Sequence, residues 1–274
     1  MKSSSASASI LTAFAMAAPE PVFVRNGMPN PALTTCRAGR YVASRARLFP
    51  SQCEAPMPDF VARRVAMVDT QVRPSDVTRL SVISALLAVP REDYVPGALR
   101  EVAYLGENLD LGEGRCLLAP RTFAKMLEEM APGPRDLVLD VAAGQGYSSA
   151  VLARLAAAVV ALEEEPDMAR EAEAVLADQG VDTVIVERGA LTEGAERHGP
   201  YDLIFIQGGV EQVPATLTDQ LRPGGRIVAL FVEGALGEVR VGTRMEGGAV
   251  SWRYAFNAMA PVLPGFARTP EFTF

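Results

Sequence analysis

Residues 137–147 read LVLDVAAGQGY, and this stretch limits what the chain can fold into more than any other. Three apolar residues, Leu137, Val138 and Leu139, lead through Asp140 into a turn of small residues. Ala142, Ala143, Gly144 and Gly146 make that turn, interrupted only by Gln145, and a helical pattern starts at Tyr147. Strand, glycine-rich turn and helix in this order describe a nucleotide-binding crevice in an open α/β sheet. A ligand there lies against backbone, so a Cβ would block it, and some turn positions need a positive φ. The helix N-terminus adds free N–H groups and a partial positive charge.

The spacing selects the ligand. A dinucleotide site has the pattern G-x-G-x-x-G. Here the pattern is D-x-A-x-G-x-G, and Tyr147 stands where the third glycine would be. This resembles the first motif of S-adenosylmethionine-dependent methyltransferases, with Ala142 in place of the first glycine. A tight turn without a ligand can use the same residues, so a second feature is needed. Residues 159–162 form another apolar run, and Glu163 closes it. An acid at the end of the second strand, about 20 residues beyond the turn, is placed to accept hydrogen bonds from two ribose hydroxyls. Glu164 and Glu165 follow, so a solvated acidic cluster is the competing reading. Only Glu163 abuts the strand, which favours ribose.

Composition removes several function classes. Of the three cysteines, Cys36, Cys53 and Cys116, no two are close enough for a CxxC pair, and the one histidine, His198, precedes Gly199-Pro200. A zinc site and a Ser-His or Cys-His nucleophile are therefore not expected, and His198 reads as a solvated loop residue. Residues 1–56 hold six Lys/Arg and two acids, which leaves a net charge of −11 on residues 57–274. Such a body repels nucleic acid backbones, so no nucleic-acid substrate is expected. No run reaches the roughly 20 apolar residues of a membrane span.

Residues 1–56 are rich in Ser, Ala, Pro and Arg and lack a sustained period. A secretory signal, an organellar transit peptide and an upstream start of translation are the three readings. The third is preferred, with the protein proper beginning at Met57 and residing in the cytoplasm. Residues 57–134 then form a helical N-terminal subdomain with a substrate loop, and residues 135–274 a cofactor-binding domain.

From Phe60 the apolar spacing is helical, and residues 76–89 form a second amphipathic helix ended by Pro90. Residues 106–114, rich in Gly and acids, read as a loop. Pro120 opens a helix over 121–130. Strands and helices then alternate: strand 159–162, helix 166–179, strand 183–187, strand 201–206, helix 214–221 and strand 226–232. Segments 239–245 and 250–256 flank Glu246-Gly247-Gly248 as a hairpin. The fold class is α/β: a Rossmann-like, mostly parallel, doubly wound sheet with right-handed crossovers, a helical N-terminal subdomain and a C-terminal hairpin.

Several segments of residues 60–235 together resemble the protein-L-isoaspartate (D-aspartate) O-methyltransferase family. Val89-Pro90-Arg91-Glu92 with Tyr94-Val95-Pro96 resembles its VPRE-x-[FY]-VP signature, and Ala103-Tyr104 its AY pair. Residues 111–114 with Pro120 resemble the loop before its core domain, and Asp140 to Tyr147 its first motif. Pro200-Tyr201-Asp202 and Gln220-Leu221 with Gly224-Gly225 resemble its P-[FY]-D and QL-x-x-GG segments. The resemblance implies a cytoplasmic repair enzyme that methylates the abnormal side-chain carboxylate of isoaspartyl residues, with S-adenosylmethionine as cofactor. It implies a cofactor set of Asp140, Ala142, Gly144, Gly146, Tyr147, Glu163, Ala190 and Gln207. It also implies a substrate set of Arg115, Cys116 and Leu118, and no metal.

Two positions depart from the family. Where it has G-Q-T-I-S-Q-P, this chain has Gly114-Arg115-Cys116-Leu117-Leu118-Ala119-Pro120, so Leu118 replaces the serine assigned to the active site. Where it has G-D-G, this chain has Gly189-Ala190-Leu191, so the acceptor for the adenine amino group is lost. These departures leave two rivals open: a methyltransferase for another substrate, and a catalytically degenerate nucleotide-binding module.

Overall fold

The structure, a computed structural model, describes residues 59–268. Cys36, Cys53 and the expected extension over 1–56 lie outside the described residues. The first helix, α1 (Phe60–Met67), is capped by the Asp59 carboxylate, which accepts from the Ala62 N–H. It runs directly into a π-helical turn, Val68–Val72, that buries Met67, Val68 and Val72. Asp76 then adopts a left-handed conformation (φ 63°). The expected helix over 76–89 is therefore shorter: α2 spans Leu80–Ala88, because a left-handed residue interrupts helical hydrogen bonding at its start.

The expected loop over 106–114 is in part a strand. β1 (Leu109–Gly112) pairs antiparallel with β2 (Arg115–Leu117), with Leu109 opposite Leu117 and Asp110 opposite Cys116. Gly112, Glu113 and Gly114 all have positive φ, which makes the tight reversal. α3 (Pro120–Met130) follows with Pro at its first position, as sequence chemistry requires.

The remaining elements build one sheet. In chain order they are β3 (Leu137–Val141), α4 (Tyr147–Leu152), β4 (Ala158–Glu163), α5 (Pro166–Asp178), β5 (Val184–Arg188), β6 (Tyr201–Val210), α6 (Ala215–Thr218), β7 (Leu221–Glu233), β8 (Leu236–Arg244) and β9 (Val250–Asn257). The strand order is β5-β4-β3-β6-β7-β8-β9. The first five run parallel, and β8 and β9 add antiparallel. The helix expected over 214–221 is the single turn α6, and Leu221 already belongs to β7.

Alternate residues of the central strands feed two cores, as burial of both faces demands. Val138, Val159, Leu203, Phe205 and Val228 pack against side chains of α2 to α5. Leu139, Val160, Ile204, Ile206 and Ile227 pack against Leu191, Leu217, Leu263 and Phe266 on the other face. Strand order reverses between β3 and β6, so a crevice opens at their carboxyl ends.

Two segments recognised in the sequence hold this frame together. The Asp202 carboxylate accepts from the Leu137 N–H at 2.7 Å and pairs with Arg222 at 2.6 Å. The Gln220 amide accepts from Ala195 N–H at 2.9 Å and donates to the carbonyls of Glu193 and Thr216. It also fills the space over Gly194, where a Cβ would lie 2.4 Å from Nε2. Gln220→Ala should therefore cost about 1–3 kcal/mol, since it strands the buried Ala195 N–H and removes the donor from two part-buried carbonyls. Urea denaturation measures this, and a loss below about 0.5 kcal/mol would remove Gln220 from the frame.

Candidate active site

The site grows from the carboxyl ends of β3, β4 and β6. Asp140 on β3 is fully buried. Its Oδ2 accepts from the hydroxyls of Ser148 and Ser149 at 2.6 and 2.5 Å, and its Oδ1 accepts from Gln207 Nε2 at 3.3 Å. The acid thus ties the first turn of α4 to β3 and reaches across to β6. The two serines lie in the first turn of α4, and the structure gives them a partner eight and nine residues back.

The turn itself is strained at one place. Ala142 has φ 62°, a region that costs an L-residue roughly 1–2 kcal/mol. Its N–H and that of Ala143 both donate to Leu162 O, which holds the turn against β4. Gly144 has φ +56°, and a Cβ there would lie 3.1 Å from Leu111 Cδ1 on β1. Gly146 packs away from the crevice, where a Cβ would meet Leu176 and Ala172 of α5. Tyr147 likewise turns into the core, where its ring meets Phe123 at 5.5 Å and Tyr94 at 5.9 Å.

Glu163 ends β4 with its side chain fully buried. Its Oε2 accepts from the Gly144 N–H at 2.8 Å, and its Oε1 accepts from the N–H groups of Glu164 and Glu165. Arg115 of β2 adds a charged partner, Nε to Oε1 at 3.0 Å. Asp140, Ala142, Gly144, Glu163 and Gln207 therefore converge, while Gly146 and Tyr147 support them from behind. Ala190 lies exposed beyond β5, in the segment that begins where the Gly189 N–H meets Glu163 O at 3.3 Å.

The hairpin β1–β2 covers this turn. Arg115, Cys116 and Leu118 are all buried. Burial, with Asp110 nearby, pushes the Cys116 thiol up to about 12, so it stays neutral. Leu118 belongs to the first core, and its carbonyl accepts from Arg91 Nη2 at 2.7 Å. Arg91 is a residue whose site role sequence reasoning missed. Its guanidinium is fully buried, donates through Nε to Ala103 O at 2.7 Å, and stacks 4.9 Å from the Tyr147 ring centroid. His198 departs from expectation: it is half-buried, with Nε2 3.3 Å from Glu187 and 3.0 Å from Arg197 Nε, because Glu187 draws both side chains to it.

An open sheet with this switch-point crevice, a glycine turn and an acid closing the next strand defines an S-adenosylmethionine-dependent methyltransferase. Residues 63–254 match the family model described as protein-L-isoaspartate(D-aspartate) O-methyltransferase. A protein-L-isoaspartate O-methyltransferase of Roseiflexus castenholzii is 34% identical over 214 residues, covering 78% of this chain and 97% of that protein. One from Pelotomaculum thermopropionicum is 38% identical over 166 residues, covering 61% and 72%. A solved structure described as a protein-L-isoaspartate O-methyltransferase of Plasmodium falciparum, bound to S-adenosyl-L-homocysteine, superposes with a TM-score of 0.63. It is 17% identical, and the match covers 73% of this chain and 97% of that one. The chain belongs to the protein-L-isoaspartate(D-aspartate) O-methyltransferase family.

The buried acid gives a pH prediction. Burial raises Asp140 to about 6, against the pull of its Ser148, Ser149 and Gln207 hydrogen bonds, and Glu163 adds to the rise. The native protein then holds this proton more tightly than the unfolded chain does. The stability from Asp140 is complete below about pH 4 and is lost as pH rises through about 6. Relative to Asp140→Asn, the native chain should lose on the order of 3 kcal/mol between about pH 4 and pH 7. Urea unfolding of both proteins across that range checks it, and parallel curves would contradict it.

Proposed function

We propose that this chain methylates the side-chain carboxylate of isoaspartyl residues in proteins and peptides. The observation that carries the reading is the meeting of the Gly144 turn and Glu163 with the hairpin that bears Arg115 and Cys116 and leads into position 118. When bound, S-adenosylmethionine supplies a methyl group on a positively charged sulfur. The carboxylate oxygen forms a bond to the methyl carbon while the carbon–sulfur bond breaks, and the electron pair stays on sulfur. No proton moves, so the chain needs no general base. Its residues must bring the carboxylate to about 3 Å, align it and exclude water.

The residues present fit the cofactor. Gly144 is a cradle that a side chain would fill, and Glu163 stands where ribose hydroxyls need an acceptor. Asp140, Gln207 and the serines brace the turn from below. Ala190 offers adenine no side-chain acceptor, a loss of about 1 kcal/mol that binding survives. At position 118 a leucine offers the acceptor no hydroxyl, so donors elsewhere on the hairpin must hold the carboxylate. Arg115 is the charged one. It lines a cleft of about 340 Å³, together with Asn108, Asp110, Glu113, Cys116 and Pro261, through which an acceptor side chain can enter.

The net charge of −11 on residues 57–274 favours a protein acceptor over a nucleic acid. No helix among the described residues is long and apolar enough to cross a membrane. The reading places the enzyme in the cytoplasm and divides it into a helical subdomain over residues 57–134 and a cofactor domain over 135–274. Leu118 and Ala190 favour one rival, a binding module without catalysis.

Incubating the full chain with an isoaspartyl peptide and methyl-labelled cofactor should give a base-labile methyl ester. Normal cofactor binding with no transfer would select the binding module. Gly144→Val should abolish binding of S-adenosylhomocysteine in calorimetry, because the side chain enters the cradle against Leu111; unchanged affinity would sink the pocket assignment. Leu118→Ser with Ala119→Gln should raise kcat/KM for the peptide about tenfold, while costing about 3 kcal/mol of stability at this core position. A lower kcat/KM in a folded variant would mean that a hydroxyl at 118 is no help in this site.

A further inference from the structure

Glu163 is already saturated. A carboxylate offers about four lone-pair sites. Gly144 N–H takes one on Oε2; Glu164 N–H, Glu165 N–H and Arg115 Nε crowd Oε1. Two ribose hydroxyls cannot be added to this set. The three backbone donors are fixed by the glycine turn and by the residues that open α5. Arg115 alone arrives on a side chain from another element, and so it alone can leave.

The guanidinium is also poorly seated. Nη2 lies 3.0 Å from Oε1 but out of line, so it has no hydrogen-bond partner although the side chain is only 1% exposed. Nη1 is held by a single carbonyl, that of Glu113, at 3.2 Å. A planar fork facing a carboxylate would normally engage both oxygens. Here Nε reaches the second oxygen only at 3.4 Å.

Although its side chain is buried against Glu163, Arg115 also belongs to the lining of the hairpin cleft. Among the residues that line it, Asp110 and Glu113 are acids and Arg115 is the one cation. An acceptor carboxylate entering between two acids needs a compensating charge, and Leu118 cannot hydrogen-bond it.

We propose that Arg115 exchanges partners: cofactor ribose displaces its guanidinium from Glu163, and the freed charge then binds the acceptor carboxylate. This rests on the methyltransferase reading above. Cofactor and acceptor then bind cooperatively, because the ribose releases the group that the acceptor needs, and reciprocally the acceptor holds Arg115 off Glu163. Arg115 becomes an acceptor-binding residue that replaces, by a different donor, what a hydroxyl at position 118 would provide.

Calorimetry on the full chain with S-adenosylhomocysteine and an isoaspartyl peptide tests the exchange. In the native chain, saturating S-adenosylhomocysteine should tighten peptide binding about tenfold, within the usual range of coupling between sites. Arg115→Gln should bind S-adenosylhomocysteine about tenfold tighter, because no competitor remains on Glu163. The same variant should raise the peptide KM about tenfold with a smaller change in kcat, lose the coupling, and be partly rescued by Arg115→Lys. Unchanged or weaker S-adenosylhomocysteine binding by Arg115→Gln would reduce the ion pair to a brace for the hairpin and overturn the proposal.

A second measurement needs no variant. An arginine-selective reagent such as phenylglyoxal, read by mass spectrometry, should modify Arg115 faster when S-adenosylhomocysteine is bound. Equal or slower modification would overturn the exchange. Peptide methylation by the native chain alongside such a result would leave the methyltransferase reading standing and remove only the exchange. Failure of the native chain to bind S-adenosylhomocysteine at all would remove both.

Discussion

A single buried guanidinium joins most of the molecule. Arg91 has no carboxylate partner and no exposure, and burial lowers its pKa accordingly. Leaving such a charge unpaired costs several kcal/mol unless polar groups surround it. Two carbonyls at 2.7 Å and the face of Tyr147 answer most of that demand, and Nη1 alone is left without a hydrogen-bond partner. Those partners come from the segment before the hairpin, the segment after it, and the helix that follows the cofactor turn. Arg91 can be satisfied only when all three are in place, so it fixes the hairpin relative to the turn. Its neighbour Glu92 does the same on the other side. Glu92 pairs with Arg64 of α1 at 3.1 Å and accepts from the Tyr104 hydroxyl, which in turn accepts from Arg64. One 3₁₀ turn, Arg91–Asp93, thereby docks the N-terminal helices and the site onto a common frame.

The two strand-end acids show how burial and partners divide roles between like groups. Asp140 faces inward and is met by neutral donors, two hydroxyls and an amide, so burial dominates and its pKa rises. It acts on geometry, holding α4 so that the turn keeps its shape despite the left-handed Ala142. Glu163 collects three backbone N–H groups and a guanidinium, donors suited to a charged carboxylate. Three of the four donors around Glu163 are backbone groups, and only Arg115 comes from a side chain.

The legible parts of the sequence were those where one physical rule acted alone. β3, β4 and β6 are apolar runs because both faces are buried, and the glycine turn is visible because backbone must be bare there. The short motifs VPRE, AY, P-Y-D and QL-x-x-GG were visible as patterns, while their reason was hidden: each supplies a polar contact between distant segments. Arg91 meets Ala103, Asp202 meets Leu137, and Gln220 meets Ala195. The hairpin β1–β2 was hidden because its charged residues imitate a loop. Arg115 is buried only through its pair with Glu163, 48 residues away, and alternation of apolar and polar residues cannot report such burial. The half-burial of His198 was hidden for the same reason, since Glu187 lies on β5, outside the turn that carries the histidine. The left-handed Asp76 carried no glycine to announce it, so α2 was drawn too long at its start.

The same hairpin makes sense of the two most unusual residues in the site. Against the family pattern, position 118 has lost a hydroxyl and position 115 has gained a guanidinium, three residues apart on one segment. Either change alone would be awkward. A leucine at 118 removes a donor from the acceptor side, while its side chain strengthens the first core and its carbonyl still serves Arg91. An arginine at 115 places a charge in a nearly sealed region, where Glu163, the Glu113 carbonyl and, at 3.7 Å, the Glu164 carboxylate receive it. Under the exchange proposed above, they would move the donor for a carboxylate from position 118 to position 115, at the border of the cleft. A hydroxyl donates one neutral hydrogen bond, whereas a guanidinium offers five N–H groups and a full charge. In that exchange the cost of the charge falls on Glu163, which would tie the two halves of the site into one equilibrium.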